Sequence, residues 1–345
     1  MRKSRNHVFA SWGETIRHCA HMEATGEITT SEAAMFFQDH IVFNRRKFLA
    51  TAGALVAAGL LPKEVLALAG PVNFKHGALD ISIIGDGTLI LPVAMLATGV
   101  DPAVVTALIK DAVAADGTVV FATNVTVVKD GTDVILLDAG AGGGFQPTAG
   151  KLLENLKAAG VDPASVTKVI FTHGHPDHLF GAAKDGALNF PNASYHSNAA
   201  EWDFWNNKDL FTKMPKEMHG MITGAQATYM AMKDKVAMFK PGDALTANIS
   251  AIDTAGHTPG HVSFEFSGDG GLIFIGDAIP NNIVHFAHPE WPMAFDADGD
   301  KAVSTRKMLL DRAANEKIKM LGYHWTTPLG WAEKKDGAYV FTAAT

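Results

Sequence analysis

The segment KVIFTHGHPDHLFG, residues 168 to 181, joins a short apolar run to three histidines and an aspartate. The four residues before His173 are β-branched or aromatic, which predicts a buried strand. The polar residues that follow at once are His173, His175, Asp177 and His178. Polar groups at the end of a buried strand lose solvation unless a partner binds them. We therefore predict a metal site here, against the simpler interpretation of a solvated loop that is rich in histidine.

Four other apolar segments also end in an aspartate or a histidine. They are VILLD ending at Asp138, ISAIDTAGH at His257, LIFIGD at Asp277 and IKMLGYH at His324. Ligands of layered α/β proteins commonly bind outside the carboxyl ends of strands, so these residues are expected to meet the first segment at one site. Asp138 precedes a glycine-rich turn and is expected to accept hydrogen bonds rather than to bind a metal.

The donor types limit the metals that such a site could hold. Imidazole and carboxylate ligands without thiolate suit zinc first, with manganese, iron and cobalt as alternatives. One catalytic zinc takes about three protein ligands, so this larger set predicts two divalent ions about 3.5–4 Å apart. A hydroxide bound between two such ions is nucleophilic at neutral pH.

The composition is that of a globular protein. Of 345 residues, 47% are hydrophobic and 19% are charged, and histidine occurs 15 times. A chain of this length can bury a large core. The formal net charge is −7, and the body of the chain has no basic cluster large enough to follow a phosphate backbone. Nucleic acid is therefore not expected as a partner.

An export signal is predicted near the N-terminus. Arg45 and Arg46 precede an apolar run from Phe48 to Leu61, and the small-residue site Ala67-Leu68-Ala69 follows. This order is typical of a secretory signal, and the paired arginines indicate the twin-arginine pathway. As a helix the run spans only about 21 Å, too little for a bilayer core. We predict cleavage near Ala69, the twin-arginine export machinery as a partner, and a periplasmic or secreted location.

The chain is predicted to have three parts. Residues 1–43 form an N-terminal extension of uncertain status, residues 44–69 the signal peptide, and residues 70–345 one folded domain. Without residues 1–69, the chain carries 21 Lys and Arg against 30 Asp and Glu, a net charge of −9. The only cysteine, Cys19, is removed as well, so export does not imply disulfides here.

Short-range patterns predict several elements of the domain. Gly85-Asp86-Gly87 and Asp130-Gly131 each separate two apolar runs and predict hairpin turns. Residues 148–160 have a helical apolar face, 201–240 are expected to be helix or loop, and a polar helix is expected near 300–315. Four isolated histidines are expected at the surface or in loops: His196, His219, His285 and His288.

The histidine segment resembles a known family motif. THGHPDH, residues 172–178, is similar to the H-x-H-x-D-H motif of the metallo-β-lactamase superfamily. GHTPGH (256–261), GD (276–277) and YH (323–324) resemble its later motifs in the same order. The resemblance covers roughly residues 79–340 and implies an α+β fold, a four-layer αββα sandwich with the site at one rim.

The resemblance also implies a role for each ligand. One metal ion would be bound by His173, His175 and His257, and the other by Asp177, His178 and His324, with Asp277 bridging them. The two carboxylates, Asp177 and Asp277, would be catalytic as well as metal-binding.

A finer resemblance extends to the methyl parathion hydrolase-like group, through LDAGAGGGFQPTAGKLLENLKAAG (137–160), FPNASYHS (190–197) and EWDFW (201–205). That group implies hydrolysis of phosphotriesters, lactones or esters by metal-bound hydroxide. It also implies an aromatic pocket wall, here Phe145 and Trp205. Those aromatics, together with the net charge of −9 on residues 70–345, favour a small neutral-to-apolar substrate. Residues 206–240 depart from the group, which leaves the substrate open.

Three alternatives and one partner question remain at this point. A β-lactam hydrolase would share the metals, although its best-known branch lacks an aspartate at position 177. A diiron redox protein usually replaces a first-motif histidine by a carboxylate, and a non-catalytic binding protein would have lost ligands. Neither change is present in the sequence. A second copy of the chain, forming a homodimer, is a further candidate partner.

Overall fold

The computed structural model describes residues 71–344, so the predicted extension (1–43) and signal peptide (44–69) lie outside the described residues. The strands are β1 (Val72–His76), β2 (Leu79–Pro92), β3 (Thr118–Asp130), β4 (Asp133–Leu137), β5 (Lys168–Ile170), β6 (Ala183–Lys184), β7 (Ala187–Leu188), β8 (Ser194–Asn198), β9 (Val236–Phe239), β10 (Ile249–Asp253), β11 (Val262–Phe266), β12 (Leu272–Phe274), β13 (Lys319–Leu321), β14 (Leu329–Lys335) and β15 (Ala338–Ala343). The α-helices are α1 (Pro102–Ile109), α2 (Leu152–Ala158), α3 (Pro176–Leu179), α4 (Ala199–Trp205), α5 (Leu210–Lys213), α6 (His219–Met232), α7 (Val284–Ala287) and α8 (Gly299–Glu316).

Two mixed sheets form the centre of the molecule. The first has seven strands in the order β1-β2-β3-β4-β5-β8-β9, antiparallel as far as β4 and parallel from β4 to β9. The second has six strands in the order β10-β11-β12-β13-β14-β15, with only β12 and β13 parallel. Parallel neighbours end at the same edge of a sheet, so β5 and the pair β12–β13 can deliver their following residues to a common rim.

Apolar side chains of both sheets make one core, and helices cover the outer faces. Val125 of β3 and Phe264 of β11 belong to that shared core, together with Ile222 of α6. A second cluster joins Leu309 of α8 to Met320 of β13. This order of helix, sheet, sheet and helix confirms the predicted four-layer αββα sandwich.

The predicted hairpin at residues 85–87 is wrong. β2 continues through them, with a bulge between Gly85 and Gly87, and pairs with β3 along both halves. Asp86 is fully buried, and its carboxylate accepts hydrogen bonds from the backbone amides of Ala141, Gly150 and Leu152. The Gly-Asp-Gly triplet therefore turns a carboxylate inward to hold a distant loop.

The other predicted elements are present. A turn at Gly131 joins β3 to β4, α2 lies within residues 148–160, and α8 spans the expected polar helix. Residues 201–240 contain α4, α5 and α6. Within residues 71–344, no helix is both long and apolar enough to cross a membrane.

Candidate metal centre

The predicted ligands all follow the carboxyl ends of strands at one rim of the sandwich. His173 and His175 follow β5, and the next residues, Asp177 and His178, lie on the short helix α3. His257, Asp277 and His324 follow β10, β12 and β13. All seven are buried. The structure thus brings together side chains that are up to about 150 positions apart, because their strands end at a common edge.

The first group of donors consists of His173, His175, His257 and Asp277, whose candidate ligand atoms lie within 4.8 Å of one another. His175 Nδ1 is 3.0 Å from His173 Nε2 and 2.9 Å from His257 Nε2. Burial lowers the pKa of both His173 and His175 well below the usual histidine range. These imidazoles are therefore neutral, the state in which histidine binds a metal.

The second group is Asp177, His178 and His324, within the same distance limit. Asp177 Oδ2 lies 3.3 Å from His324 Nε2 and 3.4 Å from His178 Nε2. Burial opposes protonation of His324, but the carboxylates of Asp277 and Asp177 raise its pKa to about 10. The carboxylates thus attract positive charge to this group, which divalent ions can supply in place of protons.

Asp277 faces both groups. Its Oδ1 is 3.2 Å from His178 Nε2, and its Oδ2 is 3.3 Å from His257 Nε2 and also 3.3 Å from His324 Nε2. The Asp277 carboxylate thus lies between the two groups and within reach of ligands from each. The structure brings these side chains together, while the bridging role of Asp277 and the pairing of the other six residues stay predictions.

Buried side-chain atoms without hydrogen-bond partners indicate that the centre is suited to two metal ions. Seven buried side-chain atoms of the described residues lack hydrogen-bond partners, and three of them point at one another in this centre: Asp177 Oδ2, His178 Nε2 and Asp277 Oδ1. Orphaned buried polar atoms cost about 1–3 kcal/mol each, so a centre that keeps three of them implies an absent partner. Five imidazoles and two carboxylates without thiolate suit two divalent ions with open positions.

Hydrogen bonds on the outer nitrogens turn the histidines toward the centre. The Nδ1 groups donate from His178 to Asp138 (2.8 Å), from His257 to Asp296 (3.0 Å), from His324 to the Ala122 carbonyl (2.7 Å) and from His173 to Thr172 Oγ1 (3.0 Å). Each bond leaves Nε2 free as the inner nitrogen, the arrangement that fixes a ligating tautomer. The expected hydrogen-bonding role of Asp138 is consistent with its contact to His178.

His261 and Tyr323 brace ligands and do not reach the cavity. The backbone amide of Asp277 donates to His261 Nε2 at 3.0 Å. The Tyr323 hydroxyl donates to the Asp177 carbonyl at 2.6 Å, and its ring stacks on His178 with centroids 3.9 Å apart. Burial lowers the pKa of His261 to about 3, so it remains a neutral acceptor.

Sequence reasoning missed two buried charges beside His257. Asp296, which accepts from His257, lies 3.4 Å from the fully buried Arg306, and Arg306 donates to the Trp291 carbonyl at 2.6 Å. Neither residue stands in a motif. His285, expected at the surface or in a loop, is instead fully buried and within 3.0 Å of the Leu96 carbonyl.

A cavity opens above the centre. Its floor consists of His175, Asp177, His257, Asp277 and His324. Its apolar wall consists of Leu89, Leu91, Phe121, Phe145, Met221, Met293 and Phe295. In the described part of the chain, no Lys or Arg lines this cavity. The cavity therefore presents apolar surface above a set of metal-ligating groups.

The two predicted pocket aromatics lie in different places. Phe145 lies in the apolar wall of the cavity, and its contact with a substrate stays a prediction. Trp205 is 1% exposed and is absent from the cavity lining; its ring packs edge-on against His175, and its Nε1 donates to Glu201 at 2.6 Å. The structure thus corrects the predicted pocket role of Trp205. Helix α4 directs the side chain behind the ligand instead of into the cavity.

Comparisons with known proteins agree with this geometry. Residues 118–317 match the family described as metallo-beta-lactamase superfamily, a range that contains every predicted ligand except His324. The crystal structure of AbOPH, a hydrolase in the beta lactamase superfamily, is 32% identical, covers 80% of this chain and 98% of its own, and superposes with a TM-score of 0.74.

Two lactonases are also similar. AidC, a dizinc quorum-quenching lactonase, is 28% identical over 80% of this chain and 98% of its own, with a TM-score of 0.74. The N-acyl homoserine lactonase AttM of Agrobacterium fabrum (strain C58) is 30% identical over 122 residues, which are 32% of this chain and 40% of AttM. With the family match over more than half its length and the ligand motifs in order, the chain belongs to the metallo-β-lactamase superfamily, as a metal-dependent hydrolase with a dinuclear centre.

Proposed function

We propose that this protein is a dizinc hydrolase that opens lactones and cleaves neutral esters. The observation that carries the proposal is the cavity itself: a floor of buried metal ligands beneath an apolar wall, without Lys or Arg in its lining. The dizinc lactonase AidC, solved with its product N-hexanoyl-L-homoserine, supports the choice of metal and of reaction. The name of AttM supports the same reaction.

The residues would divide between two ions as their distances suggest. His173, His175 and His257 would hold one ion, and Asp177, His178 and His324 would hold the other. Asp277 faces both groups. When bound, two divalent ions supply Lewis acidity toward a carbonyl oxygen and lower the pKa of water. The outer carboxylates of Asp138 and Asp296 keep two of the imidazoles oriented for this task.

The electrostatics of the cavity favour a neutral substrate. Asp177 and Asp277 lie in the floor, and burial leaves them little solvent screening. Neighbouring histidines hold the pKa of Asp277 well below the usual range, despite burial, so it stays ionised. The two carboxylates would offset part of the charge of two bound divalent ions, and a multiply anionic phosphomonoester would find no Lys or Arg in the lining to balance its remaining charge. A neutral lactone or ester would lose little hydration free energy on moving from water into the cavity.

The apolar wall determines which group next to the scissile bond the cavity can bind. Phe121, Phe145 and Met293 are apolar and lie around the ligands, so they can pack against an acyl chain or an aryl group. Burial of one such group contributes about 1.5–3 kcal/mol. We infer that substrates carry an apolar substituent next to the scissile bond, as acyl-homoserine-lactone-like molecules do.

Neutral phosphotriesters are the second candidate class. The resemblance of residues 137–160 and 201–205 to the methyl parathion hydrolase-like group supports it, as does the position of Phe145 in the wall. A phosphotriester shares the lack of charge that the cavity favours. Its cleavage needs a leaving group that departs without help, because the lining residues include no hydroxyl or ammonium donor.

The test is metal quantification followed by a substrate panel. Purified protein should contain close to two zinc ions per chain. In kcat/KM, N-hexanoyl-L-homoserine lactone and aryl esters should lead, neutral phosphotriesters should follow, and phosphomonoesters and charged β-lactams should be at least about tenfold slower. Preference for a phosphomonoester or a β-lactam would overturn the proposal. Iron with redox turnover and no hydrolysis would favour the diiron alternative.

We further propose that the protein is exported by the twin-arginine pathway and cleaved near Ala69. The support is the sequence of residues 44–69 alone, with its paired arginines and small-residue site. Protein from the cell envelope should begin at or near Gly70. Replacement of Arg45 and Arg46 by lysine should retain the precursor in the cytoplasm, whereas unchanged export of that variant would contradict the pathway.

A further inference from the structure

Glu201 is a buried carboxylate that joins two loops of the metal centre. It lies in α4 and is 1% exposed. Its Oε1 accepts hydrogen bonds from the Gly174 amide (2.8 Å) and from Trp205 Nε1 (2.6 Å). Its Oε2 accepts from Thr258 Oγ1 (2.7 Å) and from the Gly260 amide (2.9 Å). All four donors are neutral, and each oxygen accepts two bonds.

These contacts reach the two loops that supply the three histidines of the first group of donors. Gly174 lies between His173 and His175, and Thr258 directly follows His257. The carboxylate therefore fixes the distance between the two loops, and with it the 2.9 Å approach of His175 Nδ1 to His257 Nε2. The second group of donors is braced by other residues, through the contacts of Asp138 and Tyr323.

The packing around Glu201 leaves the loops no room to adjust. A Cβ atom at Gly174 would overlap the indole of Trp205, and one at Gly260 would overlap the backbone of Glu201. Both loops thus lie directly against α4. A loss of one hydrogen bond cannot be compensated by a closer approach, so the ligands themselves would have to move.

We propose that Glu201 is a positioning residue that sets the affinity of the His173–His175–His257 group for its metal ion. The inference rests on the proposed dinuclear function. A carboxylate is needed at this position because both of its oxygens accept hydrogen bonds, whereas a side-chain amide has a single accepting oxygen. In Glu201→Gln one oxygen becomes an NH₂ group, which donates, so the amide of Gly174 or of Gly260 would lose its acceptor. Outer partners of metal ligands typically change metal affinity or activity by about 10- to 100-fold.

The experiment compares Glu201→Gln with Asp86→Asn in the full chain. Asp86 is a matched control, because it too is a fully buried carboxylate that accepts from backbone amides, those of Ala141, Gly150 and Leu152. None of those amides belongs to a ligand loop of the first group. Metal-free protein is titrated with zinc against a competing chelator, and the two stepwise affinities are obtained. Circular dichroism and urea unfolding report the fold.

In Glu201→Gln one stepwise zinc affinity should fall about 10- to 100-fold while the other changes by less than about threefold. Asp86→Asn should lose stability while keeping the ratio of the two affinities. The cobalt-substituted Glu201→Gln protein should show an altered visible spectrum for one ion only. Unchanged zinc affinities in folded Glu201→Gln, or an equal change of the ratio in Asp86→Asn, would overturn the proposal.

Thr258→Val tests the proposal if Glu201→Gln does not fold. It removes one donor to Glu201 and keeps a side chain of similar volume. The same zinc affinity should fall by a smaller factor, about two- to tenfold. No change would overturn the proposal. A wild-type chain that binds no pair of zinc ions would instead contradict the proposed function, so the two failures are distinguishable.

Discussion

The floor and the apolar wall of the cavity are held in place by different means. Four of the five histidine ligands donate a hydrogen bond outward, and their positions follow strand ends. The wall is built from side chains of β2, β3 and α6 and from loops, and Phe145, Met221 and Phe295 are only partly buried. Reaction chemistry should therefore depend on a rigid floor, and substrate choice on a wall that can be altered at small cost in stability.

The largest effect on turnover is expected when a ligand of the floor is removed. His175→Ala removes a ligand atom that lies about 3 Å from two other ligands, so turnover should fall by about three orders of magnitude or more, the scale at which a cooperating set of catalytic residues fails. The fold should persist because the strands keep their apolar faces. Zinc content and hydrolysis are the measurements.

The control for that variant is His288→Ala. His288 stacks on Trp291 and lies 3.0 Å from Glu290, neither of which is a candidate ligand, and its side chain is 36% exposed. Turnover of this variant should match wild type. Full activity in His175→Ala would contradict the assignment of the centre, whatever the control shows.

Trp205 lies behind the floor and should behave as part of it. Trp205→Ala leaves a cavity beside His175 and removes a donor to Glu201, so the free energy of unfolding should fall by about 3–5 kcal/mol. Urea unfolding measures this loss. A variant of normal stability whose only defect is a raised KM would place Trp205 in the wall after all.

Phe145 tests the wall alone. Phe145→Ala removes apolar contact with the substrate in the ground state and the transition state alike, so KM should rise about tenfold while kcat stays within about twofold. Steady-state kinetics with an acyl lactone measure both constants. A large fall in kcat at unchanged zinc content would contradict the division between floor and wall.

The smallest effect is expected from a volume-conserving change in the wall. Met221→Leu keeps an apolar side chain of similar size on α6, so kcat/KM should change by less than about threefold and stability by less than about 1.5 kcal/mol. Comparison of acyl chains of different length is the sensitive measurement. A loss as large as that of Phe145→Ala would mean that this part of the wall is as rigid as the floor.

The contrast also explains what could be predicted from the sequence. A buried strand end followed by histidine or aspartate has few stable uses other than ligand binding, so His173, His257, Asp277 and His324 could be named from local patterns. The layered fold followed from the family resemblance of the same motifs. Both conclusions depend on short segments whose chemistry can be recognised from neighbouring residues in the sequence.

The wall and the supporting contacts could not be predicted in that way. Met293 and Phe295 carry no signal that separates a cavity wall from a core, and Trp205 was misplaced because an aromatic after a strand suits either setting. Glu201 and Asp296 find their partners across long stretches of chain. The triplet at Asp86 is predicted as a turn because the backbone amides that donate to its buried carboxylate lie more than fifty residues away.

The distance along the chain between the ligands has a consequence for biosynthesis. His173 and His324 are about 150 residues apart, and at 5–20 residues per second their synthesis is separated by roughly 8–30 s. During that interval the first group, complete once Asp277 has been made, can close before the second group has its last ligand. The two sets of ligands therefore become available in a fixed order, and the set that includes His324 is completed last.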